Sequence, residues 1–197
     1  MAAAPSDDAS AHVLDAAERV FLERGYAGTR MRDLADALGV RPPSLYHHAP
    51  GGKRELWGRV VDRALRRHER GLRAAAEAAG PDLRRQLGAM SDWLLSQPPV
   101  NVVALAQSEA GTVDVAEAHE TAERMYAALM VPVADAVREA VARGEVRPKT
   151  APDLLAGVFV TAVGGLLPTA RAGSLPRPAE ELGREIVDVL LDGVRLR

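Results

Sequence analysis

Residues 29–57, TRMRDLADALGVRPPSLYHHAPGGKRELW, decide how this chain folds. They read as two short helices joined by a tight turn, with a third helix starting immediately after. The first short helix, about 30–38, turns Met31, Leu34, Ala35 and Leu38 inward. Gly39 supplies the left-handed backbone that a sharp helix-to-helix corner needs, and Val40 is expected to plug that corner. Pro42 opens the second helix, about 42–48, at a position where a missing N–H costs nothing. That helix is too short and polar to be core, since Ser44, Tyr46, His47 and His48 leave it only Leu45 to bury. A short polar helix held rigidly by its neighbour has the shape needed to enter a DNA groove.

Working outward, Ser10 can cap a helix running to about Arg24, with Leu14, Ala17 and Phe21 on one face and Gly25 ending it. Thr29 is placed to cap the helix that follows. Pro50-Gly51-Gly52 reads as a turn, and a long helix then runs from Lys53 to about Ala79. Leu56, Val60, Val61 and Ala64 on it keep a helical period and should pack on the first three helices. The second half reads as five helices, about 82–97, 100–110, 114–143, 151–170 and 178–195. Pro132 should kink the third of these, because it removes a backbone hydrogen bond and crowds the preceding turn.

The 197 residues are enough for a proper hydrophobic core. Apolar residues make up 47% of the chain while aromatics make up 4%, and no sustained alternation points to a sheet. Without cysteine, disulfides and thiolate metal sites are excluded. The opening residues lack the pattern of a secretory signal, and the nearest thing to a membrane span, 154–167, is too short. These features point to an all-helical, soluble protein of the cytoplasm with no membrane partner.

The net charge of −2 conceals a modest asymmetry. Residues 1–71 hold 12 Lys/Arg against 10 Asp/Glu, and residues 72–197 hold 13 against 17. Basic groups thus gather where the helical corner lies, which permits nucleic-acid binding without arguing for it.

From Ser10 to Trp57 the residues resemble the DNA-binding domain of TetR-type transcriptional regulators. The likeness rests on Ala16-Ala17 through Phe21, Gly25-Tyr26, Thr29 with Arg32-Asp33-Leu34-Ala35, Gly39-Val40, Ser44-Leu45-Tyr46 and Lys53-Arg54-Glu55-Leu56 in order. Pro-Gly-Gly before Lys53 matches a subset with a longer turn after the recognition helix. The resemblance implies a fold with three parts: a disordered tail at 1–9, a three-helix DNA-binding domain with a helix-turn-helix at 10–56, and a helical ligand-binding and dimerisation domain at 57–197. It further implies a homodimeric repressor that binds a pseudo-palindromic double-stranded DNA operator and is released by a small-molecule inducer.

Carried onto matching positions, Arg32, Arg41, Pro42, Ser44 and His47 would face base edges or nearby phosphates. Thr29, Tyr46, His48 and Lys53 would hold phosphates. Chemistry supports some of these roles separately. A lysine at a helix N-terminus adds a point charge to N–H groups that already attract an anion, tyrosine offers a phenolic donor, and arginine suits guanine in the major groove. The chain departs from the family at Ala49, where a large aromatic is usual, and at Arg41-Pro42-Pro43, which replaces a hydroxyl cap.

A ligand cavity lined by Met90, Trp93, Leu94, Met125, Tyr126 and Phe159 would follow from the same resemblance, although helical spacing alone makes these an ordinary core. The scarcity of charge among them favours a largely apolar inducer. Asn101, Gln107, His119 and Glu120 are polar candidates nearby. The last two helices are the expected dimer interface, through Leu154, Leu155, Val158, Phe159, Ala162, Gly165, Leu166, Ile186, Val187, Leu190, Leu191 and Val194. His47 and His48 point about 100° apart on a helix and cannot easily share a metal ion, and Arg66-Arg67-His68-Glu69-Arg70 reads as a solvated face. No catalytic motif, metal site or cofactor motif is present. Two rival readings stay open: a helical small-molecule binding protein or enzyme retaining a helix-turn-helix, and a transcriptional activator.

Overall fold

A computed structural model describes residues 7–98 and 115–194. Among them the elements are α1 (Asp7–Gly28), α2 (Met31–Leu38), α3 (Pro42–His48), α4 (Gly52–Ala79), α5 (Leu83–Ser96), α6 (Val115–Leu129), α7 (Val131–Ala142), α8 (Pro152–Arg171) and α9 (Ala179–Val194). The protein is all-α, as its composition led one to expect. The helix expected at about 100–110, residues 1–6 of the expected tail, Asn101 and Gln107 lie outside the described residues, while residues 7–9 of that tail are helical, because α1 starts at Asp7.

The chain divides into two compact units between Ala64 and Leu65, within α4. The first is built from α1, α2, α3 and the opening turns of α4. Val13, Ala17, Val20, Phe21, Leu34, Ala35, Leu45, Ala49, Leu56 and Val60 form its buried cluster. Each fully buried leucine here contributes roughly 1.5–3 kcal/mol over an exposed one, which is how helices of seven and eight residues persist. At the edge of the cluster Phe21, Tyr26 and Trp57 form an aromatic group, with Trp57 edge-on to Phe21 at 4.9 Å between centroids.

The corner between α2 and α3 is made as the glycine foretold. Gly39 is left-handed at φ 66, its N–H reaches Asp36 O, and the Val40 N–H reaches Ala35 O at 3.0 Å. Val40 does not plug the corner, however. Its side chain is 41% exposed, because the turn is closed by backbone hydrogen bonds and Leu34 and Leu45 fill the space beneath.

Other local expectations change too. α1 begins at Asp7, so Ser10 lies inside the helix, and the helix continues to Gly28 across a break at Gly25 (φ 70, ψ 169). Thr29 is not the cap of α2. Arg30 holds that position, and its N–H donates to the Asp33 carboxylate at 2.8 Å. Pro132 ends the long helix expected at 114–143 as two pieces, α6 and α7, parted at Met130.

The second unit comprises residues 65–98 and 119–194. Here α5 packs on α7, α8 and α9, and α8 packs on α7 and α9. Leu72, Leu87, Met90, Val133, Val137, Phe159, Val163 and Val187 are its most deeply buried members. Two glycines set close approaches. A Cβ at Gly71 on α4 would lie 2.0 Å from the Trp93 ring, and one at Gly183 on α9 would lie 2.4 Å from Ser91 Oγ. His68, read as part of a solvated face, is 2% exposed, whereas Arg66 and Arg70 beside it are exposed. α8 is long and apolar enough by length and composition to cross a membrane, unlike the shorter run read from sequence. One row of it, Leu155, Ala156, Phe159 and Val163, is nevertheless buried in this core.

Candidate nucleic-acid interface

α3 is fastened by Leu45 and by its C-cap Ala49, and shows most of its other side chains to solvent. Leu45 and Ala49 are fully buried. Arg41, Pro43, Ser44, Tyr46 and His47 are exposed, and Pro42 and His48 are half-buried. Arg32 on α2 and Arg30 before it are exposed as well. This row of cations, a phenol, a hydroxyl and an imidazole on a rigid corner matches what duplex recognition needs: charge for phosphate oxygens and donors for base edges. Pro43 stands on the outward face, while Pro42, singled out from sequence, lies half beneath it. Side-chain period on a seven-residue helix was the available signal, because position 43 shares a face with His47.

The corner is stiffened by cations whose partners are internal. Lys53, at the start of α4, donates from Nζ to Tyr26 O and Thr29 O, each at 3.0 Å, and lies 4.1 Å from the Tyr26 ring centroid. Its charge therefore ties the end of α1 to α4. Thr29 is 1% exposed, and its hydroxyl donates to Gly25 O at 2.7 Å. Two of the four side chains expected to hold phosphate, Lys53 and Thr29, thus make hydrogen bonds within the domain. His48 has a buried Nδ1 with no partner. The Asp33 carboxyl is held below the usual carboxylate range, first by the Arg30 N–H it accepts and, against the opposing effect of burial, by the Arg24 guanidinium at 3.0 Å.

Ala49 leaves no aromatic beneath α3. Met31 and Trp57 pack, partly buried, against the cluster that contains Ala49.

The residues expected to line a ligand cavity separate in the second unit. Met90, Leu94 and Phe159 are buried in its main core, Trp93 and Met125 are half-buried, and Tyr126 is exposed. Tyr126 Oη donates to Asp153 at 2.8 Å, which pushes the phenol upward. His119 and Glu120 are exposed, with His119 Nε2 3.3 Å from Glu123. Sequence reading missed three buried polar atoms without partners, Gln86 Oε1, Ser91 Oγ and Trp93 Nε1. Among the described residues no group of three metal-ligating side chains is found.

A short exposed helix set on a glycine corner over an apolar cluster defines a helix-turn-helix DNA-binding domain. Residues 13–60 match the family model of bacterial regulatory proteins, tetR family. The repressor KstR2 of Rhodococcus jostii is 46% identical over 50 residues, 22% of this chain and 24% of that protein. The activator FasR of Mycolicibacterium smegmatis is 36% identical over 81 residues, 41% of this chain and 36% of that protein. The chain thus aligns with well under half the length of either relative. A regulator from Saccharomonospora viridis, solved in complex with choline, shares the fold at a TM-score of 0.76 and 18% identity, covering 98% of this chain and all of that one. The likeness to the tetR family of bacterial regulatory proteins is thus carried by residues 13–60, and the solved neighbour shows a shared fold.

Proposed function

We propose that this protein is a ligand-responsive transcriptional repressor of the cytoplasm that binds a pseudo-palindromic operator as a homodimer and leaves it when a small molecule binds. The reading rests above all on α3, whose polar face stands free while Leu45 and Ala49 fix it from below. Arg32, Arg41, Ser44, Tyr46 and His47 are the proposed DNA contacts, with Pro42 at the helix entrance. Lys53, Thr29 and His48 serve by holding the corner and contribute backbone or field to nearby phosphates.

Dimerisation is assigned to the outer rows of α8 and α9. Leu154, Val158 and Val189 are 69%, 44% and 67% exposed, although Leu155, Phe159, Val187 and Leu191 are already buried in the unit's own core. A two-fold axis would let these exposed rows cover one another. Leu154→Glu should leave the helix content unchanged and abolish dimers in sedimentation velocity. A dimer that persists in the variant would place the interface elsewhere.

The inducer is taken to be largely apolar with one or two hydrogen-bonding groups, in keeping with the apolar core of the second unit and the unpartnered Trp93 Nε1 and Gln86 Oε1. Activation instead of repression is the second reading, because a repressor and an activator are both similar to part of the chain.

The test is selection of duplexes from a randomised pool, followed by mobility shifts at rising salt. An enriched palindrome whose affinity falls steeply with salt is expected, since phosphate contacts release counterions. Enrichment of no sequence would overturn the proposal.

A further inference from the structure

The C-terminal end of α3 is held by a side chain that sequence reading gave no part in DNA binding. Arg59 on α4 donates from Nη1 to His48 O at 2.6 Å. His48 ends α3, so its carbonyl is one of the acceptors that a helix terminus leaves without an intrahelical donor. A guanidinium there satisfies it and also faces the negative end of the helix. One turn earlier on α4, Glu55 Oε1 lies 4.0 Å from the same nitrogen. Its other oxygen accepts the Gly51 N–H at 2.7 Å. A Cβ at Gly51 would stand 3.1 Å from both Glu55 Cβ and Oε2, so turn and carboxylate are in direct contact. Glu55 and Arg59 together therefore strap residues 48–51 to α4.

The strap matters because α3 has few other attachments. Leu45 and Ala49 are its only fully buried side chains, and Ala49 offers a single methyl group. At the opposite end, Pro42 and Pro43 carry no N–H with which to tie the helix down.

We propose that Arg59, supported by Glu55, is a positioning residue for DNA recognition: it clamps the terminal carbonyl of the reading helix and fixes its orientation without itself contacting DNA. This rests on the function proposed above. The probe is a duplex enriched by the wild-type protein from a randomised pool, compared with a scrambled duplex of equal length and composition. Removing a charge-assisted hydrogen bond should lower affinity for the enriched duplex by roughly ten- to a hundred-fold. Arg59→Ala should do this while scrambled-duplex affinity and the salt slope stay as in the wild type. Arg59→Lys should regain part of the loss, because an ammonium can still donate to the carbonyl. Glu55→Gln should show the same pattern more weakly, and carries the test if Arg59→Ala does not fold.

Equal losses on both duplexes would overturn the proposal. With a lower melting temperature they would show a merely structural residue, and with a salt slope reduced by about one they would show a phosphate contact. Should the wild-type protein enrich a sequence and Arg59→Ala keep its preference, the clamp alone fails. Should the wild type enrich nothing, the regulatory reading fails and takes the clamp with it.

Discussion

The two compact units solve the same problem with different means. The second buries a broad aliphatic core between long helices, so its polar groups mostly decorate the outside in pairs such as Arg138 with Asp135 and Asp153. The first must hold helices of seven and eight residues that have little apolar surface, and it uses cations at helix ends. Lys53 binds two carbonyls at the end of α1, Arg59 binds the carbonyl that ends α3, and Arg63 joins Asp15 and Glu18 of α1 to α4. A surface meant for another molecule cannot be buried, so cations, two of them at helix ends, supplement the small apolar cluster. The first unit should accordingly respond to loss of single polar side chains as well as to changes in volume, and the second chiefly to changes in volume.

The chain's two tryptophans allow the contrast to be tested, because Trp57 lies in the first unit and Trp93 in the second. Single-tryptophan forms made by Trp93→Phe or Trp57→Phe report each unfolding transition separately in denaturant. The largest effect is expected from Leu45→Ala, a fully buried side chain whose truncation should cost about 2–5 kcal/mol. It should move the Trp57 transition and abolish DNA binding while the Trp93 transition stays; equal movement of both would show that the units unfold as one.

Gly71→Ala should act in the opposite unit. Its methyl would collide with the Trp93 ring, and overpacking of this kind costs about 1–3 kcal/mol. The Trp93 emission and transition should change while the Trp57 transition is retained.

Lys53→Ala and Tyr46→Ala divide holding from reading. Loss of two charge-assisted hydrogen bonds by a half-buried lysine should lower the Trp57 transition by about 1–2 kcal/mol as well as weakening DNA binding. Tyr46 is 47% exposed, so Tyr46→Ala should weaken DNA binding in mobility shifts with no change in the transition. If Lys53→Ala leaves stability untouched, its carbonyl contacts carry no load and a direct phosphate role gains ground.

The smallest effect is pH-dependent. The carboxyl of Asp33 is held below its ordinary value in the fold, so its stabilising contribution is complete above the unfolded value of about 4 and is lost as pH falls through the lowered one. The stability difference between wild type and Asp33→Asn should be constant near neutrality and shrink in acid, read from Trp57 melts across pH. A difference that grows in acid would reverse the sign of the shift.

Sequence legibility followed the range of the interactions involved. Gly39, Leu34, Ala35 and Leu45 could be read because a turn's backbone requirement and a helix's apolar period are local. The carbonyl contacts of Lys53 could not, since its Nζ meets Tyr26 O across 27 positions and nothing in its neighbours announces that contact. The same holds for Arg59, which a helix pattern shows only as another charge on α4. In the second unit, spacing placed Met90 and Phe159 on inward faces, yet the apolar period that marks a cavity wall also marks a core.

By itself, then, the chain determined an all-helical protein with a glycine corner and an exposed polar helix, because propensity, period and backbone freedom act within a few residues. Tertiary structure alone decided which charges face outward and which bind carbonyls at helix ends. A cation seeks whichever acceptor folding brings within about 3 Å, and that acceptor's address is not written beside it.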